Sequence, residues 1–229
     1  MLNNIPYELR ALNQWVCWRY EEVDGRQTKV PYSAKSHHKA SVTDPSHWSD
    51  FKTASGQANK YNGIGLVLTQ SCGYSIIDLD NKPEHPCTPE QLERHNKIYE
   101  VFDSYAEYST SRTGIHIIVK GSIPSGVHRD NVEVYSTGRY MICTGDILRN
   151  SPIKDHQALL TQLYGEMKPP ESVELAEVVS HLTDQEVVEM AMRAYDPCMA
   201  CATHAAPGQM ALDITVVDSH GEQVARLIR

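Results

Sequence analysis

The chain has 229 residues, of which 41% are hydrophobic, 22% charged and 7% aromatic, a globular composition that excludes collagen-like, coiled-coil, disulfide-scaffold and mainly disordered chains. Its formal net charge is −8, from 21 Lys and Arg against 29 Asp and Glu. That balance argues against a protein that coats nucleic acid with basic surface and leaves room for a local basic groove. No run approaches the ~18 consecutive apolar residues of a membrane span. The opening MLNNIPYELR lacks a secretory signal, so the six scattered cysteines are expected to be reduced thiols in the cytoplasm.

Residues 12–20 (LNQWVCWRY) alternate bulky side chains and predict a first strand, with Trp15, Trp18 and the later Trp48 as core anchors. GRQTKVPYS follows as a turn and a proline-bearing edge. The stretch from Ser36 to Ala58 reads as a loop and a short helix capped by Asp44, Ser46 or Ser49. Its SHHK segment is a weak metal signal and more simply a polar loop. Residues 63–69 and 73–80 are β-like runs joined by a turn-rich QSCG, the pattern of a hairpin. Residues 88–105 predict a helix with Thr88 as N-cap and Pro89 in the first turn. Short strands follow at 114–121, 132–136 and 139–145, then a helix at 154–167. KPPES marks a linker, followed by an amphipathic helix around 173–194 and a hairpin, ALDITVVD to EQVARLI. The domains expected are 1–167, a linker and helix at 168–194, and a tail at 195–229.

Strand side chains alternate faces. In SIIDLD, Ile77 and Leu79 share one face, and Asp78 and Asp80 the other, roughly 6.6 Å apart along the strand. With no nearby Lys or Arg taken to balance them, two such carboxylates call for a cation, and Mg²⁺ suits carboxylate and phosphate oxygens. His116 leaves the Ile115, Ile117 and Val119 face of its own run, and Glu133 leaves that of Val132 and Val134. Singly, an Asp-x-Asp reads as a capped turn, and a strand His or Glu as a satisfied or solvated group. On successive strands of one sheet, all four would converge.

The order Asp-x-Asp, a serine-rich turn with Gly-x-His, then a strand carboxylate resembles the archaeo-eukaryotic primase superfamily, most of all phage and plasmid primase-polymerase catalytic domains. The similarity spans about residues 10–165 and includes QWVCWRY, TKVPYS, GIGLVLT, IIDLDN, YSTSRTGIHIIVKG and EVYSTGRYMICTG. It implies an α+β fold, with an RRM-like catalytic sheet and a smaller N-terminal α/β part. It also implies metal-dependent nucleotidyl transfer on a DNA template with dNTP or NTP. Asp78, Asp80 and Glu133 would hold Mg²⁺ or Mn²⁺. His116 with Ser109 or Ser111 would contact the triphosphate, with Lys29 and Arg139 as further phosphate contacts. Arg112 stands where relatives carry a glycine, so it either adds a phosphate contact or stiffens a turn that needs positive φ. Relatives continue into a helicase. No Gly-x-x-x-x-Gly-Lys-Ser/Thr loop occurs here, so a separate helicase is the expected partner. A two-metal nuclease, or an idle nucleic-acid-binding domain of the same fold, uses much of the same residue set.

The tail has a different likeness. AYDPCMACATH contains Cys198-x-x-Cys201-x-x-His204, and residues 188–229 resemble the C-terminal end of nickel–iron hydrogenase large subunits. There this motif supplies two of four thiolates, and the chain is cut after the histidine. Cys17, Cys72, Cys87 and Cys143 are isolated, so the second thiolate pair is missing and no nickel–iron centre is expected. The tail then reads as a fused remnant, with a redox fragment as the competing reading.

Overall fold

The computed structural model describes residues 1–168 and two strands of the tail, 213–217 and 223–228. The first compact unit, Met1–Met167, is mixed α and β. After a short helix α1 (Tyr7–Arg10), β1 (Trp15–Val23) and β2 (Arg26–Tyr32) form an antiparallel ribbon. Helix α2 (Phe51–Gln57) leads to β3 (Gly63–Leu68) and β4 (Tyr74–Leu79). Helix α3 (Pro89–Phe102) and β5 (Ala106–Tyr108) precede β6 (Ile115–Lys120), β7 (Val127–Arg129) and β8 (Val132–Tyr135). Last come β9 (Arg139–Cys143), β10 (Ile147–Arg149) and α4 (Gln157–Met167).

Two sheets result. The first has the order β2-β1-β3-β9 and the second β10-β5-β6-β4-β8-β7, with every paired neighbour antiparallel. One core joins them: Trp15, Cys17, Leu66 and Met141 from the first sheet pack with Ile76 and Ile118 from the second and with Tyr105, just before β5. A second core lies behind the second sheet. There Ile77, Leu79, Ile117, Val119, Val132 and Val134 meet Ile98 and Phe102 of α3 and Leu160 and Leu163 of α4. Each such residue, fully buried, contributes about 1.5–3 kcal/mol of transfer free energy.

The expected hairpin of 63–69 with 73–80 does not form. Strand β3 takes β1 and β9 as partners, and β4 takes β6 and β8, so the QSCG link carries the chain from one sheet to the other. Both strands are nearly buried throughout. A run buried on both faces has no alternation to reveal its partner, and each strand sits centrally with both edges occupied. Helix capping also differs. Asp44 caps the 3₁₀ turn Pro45–His47, whereas Asp50 caps α2 by accepting from the Thr53 amide at 2.8 Å. Helix α3 matches its expected start: Thr88 and Gln91 form a capping box, with Pro89 in the first turn. It stops at Asp103, whose φ of 34° is left-handed. His37 of the SHHK loop meets the Tyr61 hydroxyl at 3.1 Å and stacks on its ring, as a polar loop residue would.

In the tail, β11 (Asp213–Val217) and β12 (Gln223–Ile228) pair antiparallel, as the sequence predicts. The linker, the helix around 173–194 and the Cys198–Cys201 motif lie outside the described residues. No helix among the described residues is long and apolar enough to cross a membrane.

Candidate active site

The site begins with strand register. Asp78 of β4 stands opposite His116 of β6 on one side and opposite Glu133 of β8 on the other. Opposed residues project from the same face with Cβ atoms roughly 4.5–5.5 Å apart. The row continues outward, because Glu107 of β5 opposes His116 and His128 of β7 opposes Glu133. Five ionisable side chains thus cross the sheet in one line: Glu107, His116, Asp78, Glu133 and His128. They run from a fully buried end at Glu107 to an exposed end at His128. Across the strand, Ile77 and Leu79 anchor the opposite face in the second core, so Asp78 cannot turn away without exposing them.

His116 lies between two carboxylates. Its Nε2 is 3.8 Å from Asp78 Oδ1 and its Nδ1 is 3.7 Å from Glu107 Oε1. Burial opposes a charge on the imidazole, but Asp78 and Glu107 outweigh it, and the histidine pKa is raised. Burial also raises the pKa of Asp78, and the nearby charges of Asp80 and Glu133 add to that effect against His116. Asp78 Oδ1 is enclosed and has no hydrogen-bond partner, although the side chain as a whole is 27% exposed. An unpartnered enclosed carboxylate oxygen beside two further carboxylates is an arrangement whose chemistry fits a hard cation.

Asp80 follows the end of β4 and shows what the acidic reading overlooked. Its Oδ2 pairs with Lys82 Nζ at 2.6 Å, so the acidic face has a basic neighbour two residues on in sequence. Among the described residues no three His, Cys, Asp or Glu side chains are gathered into a ready cation cage. Lys82 holds Asp80 in its own ion pair.

The serine-rich turn lies against this strand end. The Ser109 amide donates to Gly114 O at 2.9 Å, and Gly114 N donates to Ser109 Oγ at 3.1 Å. A Cβ on Gly114 would come within 2.9 Å of Leu79 O and 3.5 Å of Asp80 Oδ1, so only glycine lets the turn approach the carboxylates this closely. Ser111 Oγ links Ser109 and Thr113 at 3.1 and 2.8 Å. Arg112 takes a left-handed φ of 60°. Its guanidinium pairs with Asp146 at 3.2 Å and lies over the Tyr108 ring.

The first sheet supplies the remaining expected cations. Lys29 of β2 donates to Thr110 Oγ1 of the turn at 3.4 Å and lies close enough to influence both Asp78 and His116. Arg139, opening β9, sits 4.9 Å above the Tyr135 ring, and burial, with Glu133 nearby, raises the Tyr135 phenol. The structure therefore sets Asp78, His116 and Glu133 in one row, with Asp80, the 109–114 turn and Lys29 near it, whereas Arg112 is turned to Asp146 and Arg139 to the Tyr135 ring. Glu107, Lys82 and His128 are additions. Glu107 lies on a three-residue strand, too short for alternation to be visible in sequence, whereas Lys82 was legible as the basic residue two places after Asp80.

No protein-family model matches the chain. Over 159 residues, 64% of this chain and 21% of the relative, it is 36% identical to the DNA primase-polymerase of Nitratiruptor phage NrS-1. A 37-residue segment, 16% of this chain, is 54% identical to 8% of an F420-non-reducing hydrogenase iron-sulfur protein of Archaeoglobus profundus. A 42-residue segment, 18% of this chain, is 50% identical to 9% of an F420-non-reducing hydrogenase chain of Methanothermobacter marburgensis. The chain spans about a fifth of the phage relative and less than a tenth of each hydrogenase protein. Through most of its length, then, this chain resembles a phage DNA primase-polymerase, and a short second segment resembles hydrogenase subunits.

Proposed function

We propose that residues 1–167 are the catalytic domain of a DNA primase-polymerase, a metal-dependent nucleotidyltransferase. The observation that carries this reading is the register that sets His116 and Glu133 on either side of Asp78. The spatial order β5-β6-β4-β8, with α3 and α4 packed behind, supports an RRM-like description of the sheet.

In this reading Asp78, Asp80 and Glu133 hold Mg²⁺ or Mn²⁺, and Asp80 exchanges Lys82 for the cation. Two such ions, if bound there, would supply Lewis-acid stabilisation for phosphoryl transfer. The protein's own groups act on the triphosphate. His116 donates from Nε2, Ser109 and Ser111 offer hydroxyl donors from the turn, and Lys29 and Arg139 neutralise phosphate charge. Arg112 reaches the phosphates only by leaving Asp146. The 3′-hydroxyl of a primer or first nucleotide attacks the α-phosphorus, one P–O bond forms, another breaks, and pyrophosphate leaves. Single-stranded DNA serves as template, and strand separation comes from a separate helicase. The basic side chains around the row favour polymerisation over a nuclease.

The test is incorporation of labelled dNTP on a primed template with Mg²⁺ or Mn²⁺. Wild type should extend the primer, and the Asp78→Ala, Asp80→Ala variant should not. Equal extension by both proteins would overturn the assignment.

A further inference from the structure

The buried end of the cross-strand row has no part in the mechanism above. Glu107 is fully buried, yet its carboxylate is among the most heavily engaged groups in the unit. Oε1 accepts the Thr144 amide at 2.8 Å, and Oε2 accepts the Gly145 amide at 2.9 Å and the Tyr105 hydroxyl at 3.1 Å. Backbone donors from the loop after β9 therefore fix the orientation of this carboxylate. The same Oε1 faces His116 Nδ1 at 3.7 Å, and that nitrogen is buried with no hydrogen-bond partner. The loop carrying Thr144 and Gly145 also touches the serine-rich turn. Thr144 Oγ1 donates to Tyr108 O at 2.7 Å, and Asp146 holds Arg112.

We propose that Glu107 is a positioning residue: it keeps a proton on Nδ1 of His116 and fixes the ring plane, so that Nε2 is directed at the open face of the site. The inference rests on the functional reading only for the ligand that Nε2 meets. A buried ring nitrogen can lie opposite a carboxylate oxygen favourably only if it bears the hydrogen. With Glu107 clamped by two backbone amides, the imidazole is the member of the pair that adjusts. A carboxylate that orients an imidazole through its far nitrogen is a device known best at metal-bound histidines, where losing the partner costs about 10–100-fold in metal affinity or activity.

Glu107→Gln makes a directional test. With the amide oxygen at the Oε2 position, toward the Gly145 amide and the Tyr105 hydroxyl, the amide NH₂ faces Nδ1 and the Thr144 amide loses its acceptor. Nδ1 must then accept, so His116, an imidazolium between its two carboxylates in wild type, keeps the Nε2 proton alone and loses its charge. ¹⁵N-histidine NMR of the full chain, with the His116 signals assigned by loss in His116→Asn, reads this directly. In wild type Nδ1 should show the shift of a protonated nitrogen, and in Glu107→Gln that of an unprotonated one. Magnesium–dNTP affinity should fall by about 10–100-fold in the variant, and Glu107→Asp, which keeps a carboxylate, should recover part of it. An unprotonated Nδ1 in wild type overturns the proposal without any variant, so it stays testable if Glu107→Gln fails to fold. Unchanged His116 signals in a folded Glu107→Gln also overturn it, leaving Glu107 as an anchor of the 144–145 loop. If the signals move as described but wild type binds no nucleotide, the positioning role stands and the polymerase reading fails.

Discussion

The sheet unit and the tail each carry a spaced pair of ligand-type residues, Asp78-x-Asp80 in one and Cys198-x-x-Cys201 in the other. The higher local identity, 50–54% over segments of 37–42 residues, is to hydrogenase subunits. The phage relative matches at 36% over 159 residues, 64% of the chain. In the sheet unit, residues from distant strands stand beside the pair. Strand pairing brings His116 and Glu133 from 38 and 55 positions away in sequence to the two sides of Asp78 (116 − 78 and 133 − 78). The hydrogenase likeness would call for two further thiolates beside the tail's pair, and the other four cysteines stand isolated in the sequence. Cys17 and Cys143 are buried in the first core, where burial pushes the Cys17 thiol up to about 11 and raises Cys143 as well. Metal ligation uses the thiolate. A local motif places two side chains together, and pairing between distant strands sets others beside them.

The sharpest way to break this contrast is to remove the Asp78 and Asp80 carboxylates. Asp78→Ala with Asp80→Ala should lower primer extension by at least about 10²–10³-fold, the scale for losing an electrostatic contact in the transition state. Extension at the wild-type rate would place the chemistry elsewhere. On the other side of the comparison, the purified full chain should hold no stoichiometric nickel or iron by elemental analysis, and it should take up no hydrogen. One nickel per chain would mean that the tail does complete a site.

A third measurement addresses the sheet row without nucleotide. His116 has its pKa raised in the fold, so its stabilising charge is fully present below its ordinary 6.5 and is lost as pH rises through the higher folded value. Asp78 is also raised, by burial, so ionising it in the fold further lowers stability as pH rises above its ordinary 3.8. Metal-free protein should therefore show a falling urea midpoint between about pH 6 and about pH 8, the range in which histidine changes charge. His116→Gln should flatten that slope. A wild-type midpoint that does not move with pH would contradict the raised histidine.

Two smaller effects refine the open end of the row. Lys82→Ala releases Asp80 from a half-exposed ion pair worth at most about 1 kcal/mol, so Mn²⁺ should bind up to about fivefold tighter by titration. Weaker binding would mean that Lys82 helps to shape the site. Arg112→Gly exchanges a left-handed arginine and its exposed pair with Asp146 for a residue at ease with φ of 60°. Stability should stay within about 1 kcal/mol, and dNTP affinity should be unchanged or higher. A loss of affinity would show that the guanidinium leaves Asp146 for the phosphates.

Local pattern by itself determined the alternation that separates Asp78 from Ile77 and Leu79, the Thr88-capped helix, and the strands bearing His116 and Glu133. These depend on side-chain period and capping chemistry within a few residues, which the sequence displays directly. Only the tertiary structure decided which strands meet. β3 and β4, adjacent in sequence and nearly buried throughout, went to different sheets, because a run without a polar face names no partner. It also decided that Glu107, on a strand of three residues, stands behind His116, and that Lys82 turns back to Asp80. Cross-strand register and ion pairing are set by packing over the whole sheet, and no short window of sequence contains that information.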